Sequence, residues 1–206
     1  QYIGQKNHEM ANKSARQVLF IITAISVAVT ALCLIFRMPL LQLIFGKVEA
    51  DVMTASRVYF FYTALSFPFI ALYDAGASIF RSQGNTRGPM IVSVISNGIN
   101  IGGNAILIWV FHMGVAGAAI ATLASRVFCA VVVLWQLRLD RQPIVVKDYY
   151  QIRPDGKMIG RILSLGIPSG VENSMFQLGK LSIQSSVSTL GTTAIAAQAM
   201  TNILEN

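Results

Sequence analysis

Two carboxylates, two cations and a series of amides stand inside otherwise apolar stretches of this 206-residue chain. Asp74 falls in the run 58–80, and Asn97, Asn100 and Asn104 in the run 89–111. Arg126 sits at the centre of 115–137, and Glu172 and Lys180 fall in 168–190. A charge held in apolar surroundings is costly, so it pairs, meets water, or marks the path of an ion or substrate. Asp74 and Glu172 are therefore the candidate acids on such a path. Asp74 precedes Arg81 by seven residues, about 10 Å of helix, so it also has the reach to pair with Arg81 or Arg87 at the surface. The three asparagines recur at i, i+3 and i+7 and share one helix face, where they hold neighbouring helices or line a cavity. Arg126 needs a carboxylate, backbone carbonyls or water. Asn173, Gln177, Lys180, Gln184 and Ser188 form a polar stripe flanked by Glu172, the pattern of a cavity-lining face. Glu172 lies about 12 Å along the axis from Lys180, so the partner of Lys180 must come from elsewhere.

The elements that carry these groups follow from composition. Hydrophobic residues make up 54% of the chain and charged residues only 12%, about half the share of a typical soluble domain. A run of about 20 apolar residues spans a bilayer as a helix. Four windows meet this, 18–36, 58–80, 89–111 and 115–137, and a fifth, more polar one covers 168–190. The expected fold is all-α, a polytopic bundle of about five spanning helices. "FHMG" (111–114) and "RSQGNTRG" (81–88) are turns between antiparallel helices, the second using Gly84-Asn85 and then Pro89 at the start of a helix. "KMIGRILSLGI" (157–167) alternates basic and apolar residues at helical spacing and suits the interface ahead of the fifth span.

The loops set the orientation. With sides numbered alternately, one holds Lys6, Lys13, Arg16, Arg81, Arg87, Arg138, Arg141, Lys147, Arg153, Lys157 and Arg161. The other holds Arg37, Lys47 and Arg57, offset by Glu49 and Asp51. The basic-rich side is cytoplasmic by the positive-inside rule, and the localisation expected is the plasma membrane, multi-pass. The net charge of +7 does not point to nucleic acid, because the basic residues are scattered in short loops rather than on one face. Cys33 and Cys129 fall in apolar runs and read as small buried hydrophobes. His8 and His112 are the only histidines, and the sequence has no metal-ligand spacing and no P-loop, so no enzyme, metal or cofactor is expected. Gly114, Ala118 and Thr122 form a row of small residues suited to close helix packing. The chain opens on Gln1 and closes on "TNILEN", which reads as an internal piece of a longer protein.

Three stretches together resemble the multidrug and toxic compound extrusion (MATE) family: "SIFRSQGNTRGPMIVSVISNGINIGGNAILI" (78–108), "MGVAGAAIATLASR" (113–126), and "LGIPSGVENSMFQLGKL" (165–181) running into "LGTTAIAAQAM" (190–200). The resemblance implies two six-helix bundles around a cavity that opens alternately to each side, with export of organic cations or other amphiphiles driven by Na+ or H+. It implies that residues 1–137 are helices three to six of the first bundle, 138–161 the cytoplasmic linker, and 162–206 the first helix of the second bundle. The implied partners are the bilayer, a small amphiphilic substrate and the remaining helices of the full-length chain. The cavity-facing residues expected on this view are Glu172, Asn173, Gln177, Lys180, Gln184, Asn97, Asn100 and Arg126. Many members carry an acid eight residues after the proline of helix seven, which here is Phe176, so Glu172 is not carried over as its equivalent and stands, with Asp74, as a coupling-ion candidate from its own position. Two alternatives stand beside the antiporter: a lipid-linked oligosaccharide flippase of the same superfamily, which the cations Arg126 and Lys180 favour, and a non-transporting membrane protein. An ABC-type subunit fits the motifs less well.

Overall fold

A computed structural model describes residues 8–45, 50–139, 144 and 155–188. Six helices follow one another: α1 (His8–Ile35), α2 (Arg37–Phe45), α3 (Ala50–Ser82), α4 (Arg87–Ala105), α5 (Gly114–Arg138) and α6 (Gly156–Ser188). No strand occurs among the described residues. Four segments are long and apolar enough to cross a membrane: Glu9–Ile35, Met53–Ser82, Arg87–Val110 and Gly114–Arg138. They coincide with the first four expected windows, and the first two are extended at their N-terminal ends.

The fifth window differs. It forms part of the 33-residue α6, whose polar stripe keeps it outside the four apolar spans. The segment 157–167 is not a separate interfacial helix but the first third of α6, which runs unbroken through Pro168. A proline removes one backbone donor, a loss that long membrane helices absorb locally. The structured end of the expected linker is therefore shorter, since α6 starts at Gly156, while 140–143 and 145–154 lie outside the described residues. A second difference is α2, which occupies what reads as loop. The α1–α2 bend keeps its backbone paired, with Phe36 N donating to Leu32 O at 2.9 Å and Leu40 N to Phe36 O at 3.0 Å.

The turns behave as their residues require. In the α3–α4 hairpin, Gly84 takes φ +79° and its N–H reaches Arg81 O at 2.9 Å, while Asn85 N donates to Phe80 O at 3.0 Å. Asn85 Oδ1 then accepts from Gly88 N at 3.2 Å and satisfies one orphan donor of α4. At its other end α4 widens into a π-turn over Ile106–Val110, and Gly114 (φ +54°) opens α5.

The chain divides into two compact units, residues 1–155 and 156–206. In the first unit α3 is central and packs on both α5 and α1, while α4 packs on α5. Its core is built from α1 (Ala15, Leu19), α3 (Ala75, Phe80) and α5 (Val133, Leu137). This core lies toward the end of the bundle that carries Arg81 and Arg138. The helices approach closely because glycines face neighbours. A Cβ on Gly117 would stand 3.0 Å from Leu107 Cβ and 3.2 Å from the Leu107 backbone, and one on Gly103 would stand 3.1 Å from Ala121 Cβ. The close-packing row on α5 is thus Gly117, Ala121 and Ser125, all buried, rather than the expected Gly114, Ala118 and Thr122. Both rows share the four-residue spacing, and the π-turn, which brings Leu107 onto Gly117, selects between them. In the second unit the described residues form the single helix α6.

Candidate functional site

A cavity of about 320 Å³ opens between α3, α4 and α5. Asp74 and Tyr73 come to it from α3, Ser96, Asn97 and Asn100 from α4, and Thr122, Ser125 and Arg126 from α5. Each arrives by helical spacing: Ser96 and Asn100 are four residues apart, as are Thr122 and Arg126. The result is a polar pocket inside an apolar bundle. It brings together Asp74, Asn97, Asn100 and Arg126 from among the residues singled out in the sequence.

The pocket is braced by hydrogen bonds between helices. Asn100 Nδ2 donates to Thr122 Oγ1 at 3.3 Å and to Ser125 Oγ at 3.4 Å. Asn104 Nδ2 donates to Asn100 Oδ1 at 3.1 Å, so the asparagine face is a relay along α4 that ends on α5. Ser96 Oγ donates to Ser125 O at 3.0 Å. Tyr73 OH donates to Pro89 O at 3.1 Å and ties α3 to α4. Asn100 therefore does both things its spacing allows, holding helices and lining the cavity.

Arg126 is fixed without a carboxylate. One terminal guanidinium nitrogen donates to Ser66 Oγ on α3, and Ser66 in turn donates to Thr63 O at 2.6 Å. Ser66 is wholly buried, so this bond is shielded from bulk water. One nitrogen is held and the rest of the fork is free to face the cavity, which Arg126 lines. Ser66 and Asp74 are eight residues apart on α3, about 12 Å along its axis, so the anion and the anchored cation sit at different depths of the same helix. The Ser66, Ser96 and Ser125 hydroxyls are what sequence reasoning missed. The one signal that could have found a partner was Arg126 itself, a mid-span guanidinium that must be solvated by something.

On α6, Asn173 Nδ2 donates to Ser169 O at 2.9 Å, one turn back. Lys180 Nζ stands 4.9 Å from the centroid of the Phe176 ring, also one turn back. Phe176 thus presents an aromatic face to a cation, an interaction worth about 0.5–2 kcal/mol depending on desolvation. Glu172 and Gln177 lie on the same helix, and the side chains of Gln184 and Ser188 fall outside the described residues. No group of three or more His, Cys, Asp or Glu side chains suited to a metal occurs among the described residues.

The relay yields a testable expectation. Asn100→Ala removes two interhelical donors and orphans the Asn104 amide. In a double-mutant cycle on the full-length protein with Thr122→Ala, read by thermal unfolding, a coupling of about 0.6 kcal/mol is expected, the average for such bonds in membranes. Strict additivity would mean that the Asn100–Thr122 bond contributes nothing.

Apolar spans joined by short turns, with a polar cavity and an anchored cation between three of them, define a polytopic α-helical membrane protein. The MatE family pattern matches residues 1–106, and the chain belongs to that family. It is 26% identical over 210 residues to "Probable multidrug resistance protein YoeA" of Bacillus subtilis (strain 168), an alignment covering 98% of this chain and 44% of that protein. Two solved structures align at 25% identity. "Outward-facing conformation of a multidrug resistance MATE family transporter of the MOP superfamily" has a TM-score of 0.81, covering 92% of this chain and 42% of that one. "Inward-facing conformation of a multidrug resistance MATE family transporter of the MOP superfamily" has a TM-score of 0.72, covering 82% and 38%. The chain thus spans less than half the length of these relatives, in keeping with the reading of an internal piece.

Proposed function

We propose that the full-length protein is a secondary active exporter of small amphiphilic compounds, organic cations among them, working by alternating access. The observation that carries this reading is the cavity lined by Asp74, Asn97, Asn100 and Arg126 inside an otherwise apolar bundle. A polar pocket between spanning helices is where a solute and a coupling ion gain affinity that differs between two conformations. The resemblance of the same chain to inward- and outward-facing relatives supports two such conformations. Na+ or H+ then couples through an acid on a helix, with Asp74 the candidate in the first unit and Glu172 in the second. Asn173, Gln177, Lys180 and Gln184 supply the polar stripe of the second bundle, and the plasma membrane is the site of action.

The test is accumulation of a cationic dye in cells expressing the full-length gene, with the sodium and proton gradients collapsed in turn. Gradient-dependent exclusion is the expected result, and the gradient that matters names the coupling ion. Asp74→Asn should reduce exclusion at least tenfold while leaving the protein in the membrane. Exclusion that survives collapse of both gradients contradicts secondary transport. A second reading, the lipid-linked oligosaccharide flippase, draws on Arg126, a cation at the cavity wall. It predicts no dye exclusion under any gradient.

A further inference from the structure

A second crevice, about 290 Å³, lies beside the α3–α4 hairpin at the basic-rich end of the bundle. Its lining includes Arg81, Thr86, Met90 and Val94, together with Tyr73 and Ser93, which it shares with the first cavity. The two halves of this list differ in character. Arg81, Thr86 and Ser93 offer a guanidinium and two hydroxyls, the donor set that recognises a phosphate oxygen. Met90 and Val94 are 60% and 64% exposed and continue along α4 into Ile91 and Ile95, an apolar strip facing outward from the first unit. Tyr73 closes the inner wall through its bond to Pro89 O.

The helix N-terminus does not make the site by itself. Gly88 N is already capped by Asn85 Oδ1, and Pro89 has no N–H to offer. The remaining donor of consequence is Arg81. Its backbone carbonyl closes the hairpin turn, while its side chain is exposed at the mouth of the crevice. A cation at the interface, hydroxyls just inside it and an apolar strip leading toward the membrane centre match a phospholipid from headgroup to acyl chain. The cytoplasmic leaflet, where the loop charges place this end, is the anionic one.

The geometry points to a binding site for the phosphate of an anionic phospholipid, with Arg81 as its cation and α4 as the track for one acyl chain. The reading does not depend on what the protein transports. Occupancy fixes the depth at which the α3–α4 hairpin sits.

The experiment uses the full-length protein in detergent, titrated with phosphatidylglycerol, phosphatidylcholine or inorganic phosphate and read by thermal unfolding and by lipid adducts in native mass spectrometry. Phosphatidylglycerol is expected to raise the melting temperature and remain as an adduct. Arg81→Gln should weaken its apparent affinity about fivefold, as expected for one basic residue near an anionic headgroup. Arg87→Gln, an equal charge change outside the crevice, should leave it within about twofold. Thr86→Ala with Ser93→Ala gives a second route should Arg81→Gln fail to fold, and is expected to weaken phosphatidylglycerol in the same direction. Equal losses for Arg81→Gln and Arg87→Gln would overturn the proposal in favour of diffuse surface attraction. An Arg81-dependent shift of the same size with inorganic phosphate would overturn the lipid assignment, and so would equal binding of phosphatidylcholine.

Discussion

Arg126→Leu should reduce transport by the full-length protein at least tenfold while leaving its thermal stability unchanged or raised. A tenfold loss corresponds to about 1.4 kcal/mol of transition-state or binding free energy. The two halves of this expectation have separate causes. A guanidinium in the middle of a span is expensive to hold, and one hydrogen bond to Ser66 offsets only part of that cost. Leucine removes the cost without creating an orphan, because Ser66 keeps its 2.6 Å bond to Thr63 O. Transport falls because the cavity loses its only anchored cation among the described residues. Arg126→Lys keeps the charge but not the planar fork that serves Ser66 and the cavity together, so partial activity is expected. Efflux rates from everted vesicles and melting temperatures of the purified variants check both halves. Loss of stability together with activity would instead make Arg126 a packing strut.

Gly76→Ala should be the most damaging methyl addition in the first unit. An ideal Cβ there would lie 2.3 Å from Val133 Cγ1, and Leu137 Cδ1 stands 3.5 Å away. Val133 and Leu137 are completely buried core residues, and valine is stiff about χ1, so the neighbour has little room to give. Overpacking costs about 1–3 kcal/mol, whereas replacing a helical glycine by alanine returns about 0.5–1 kcal/mol. The clash wins, and a net loss of about 1–2 kcal/mol is expected. Val133→Ala should rescue it, since the two changes share one volume. A melting-temperature cycle in which Gly76→Ala and Val133→Ala are simply additive would show that α3 and α5 do not meet there.

Much of the architecture was legible because a bilayer imposes a length. The spans now seen as α1, α3, α4 and α5 each show about 20 apolar residues between short or charged connections. α2 was not legible. Nine residues containing Pro39, opened by Arg37, look like a loop until the paired backbone at Phe36 is seen. α6 was legible as a polar stripe but not as one 33-residue helix, because Pro168 reads as a starting point. The site was half legible. Charges and amides stand out in apolar runs, so Asp74, Asn97, Asn100 and Arg126 could be named. The serines that organise them could not be. A serine in a membrane helix bonds its own preceding turn as readily as a neighbour, and its role is decided only by which helix packs against it. The small-residue row shows the same limit: two rows had equal spacing, and the π-turn at Ile106–Val110 chose between them.

On the proposed function, the polar cavity of the first unit lies on the transport path. Its most direct test is accessibility of a single cysteine, Asn97→Cys, in a full-length protein whose other cysteines are replaced, probed with a membrane-impermeant thiol reagent from each side. Labelling is expected from both sides, in proportions that shift when the driving gradient is reversed, with protection by a transported dye. Absence of labelling from either side, or labelling indifferent to gradient and dye, would contradict it and leave the cavity as packing between three helices.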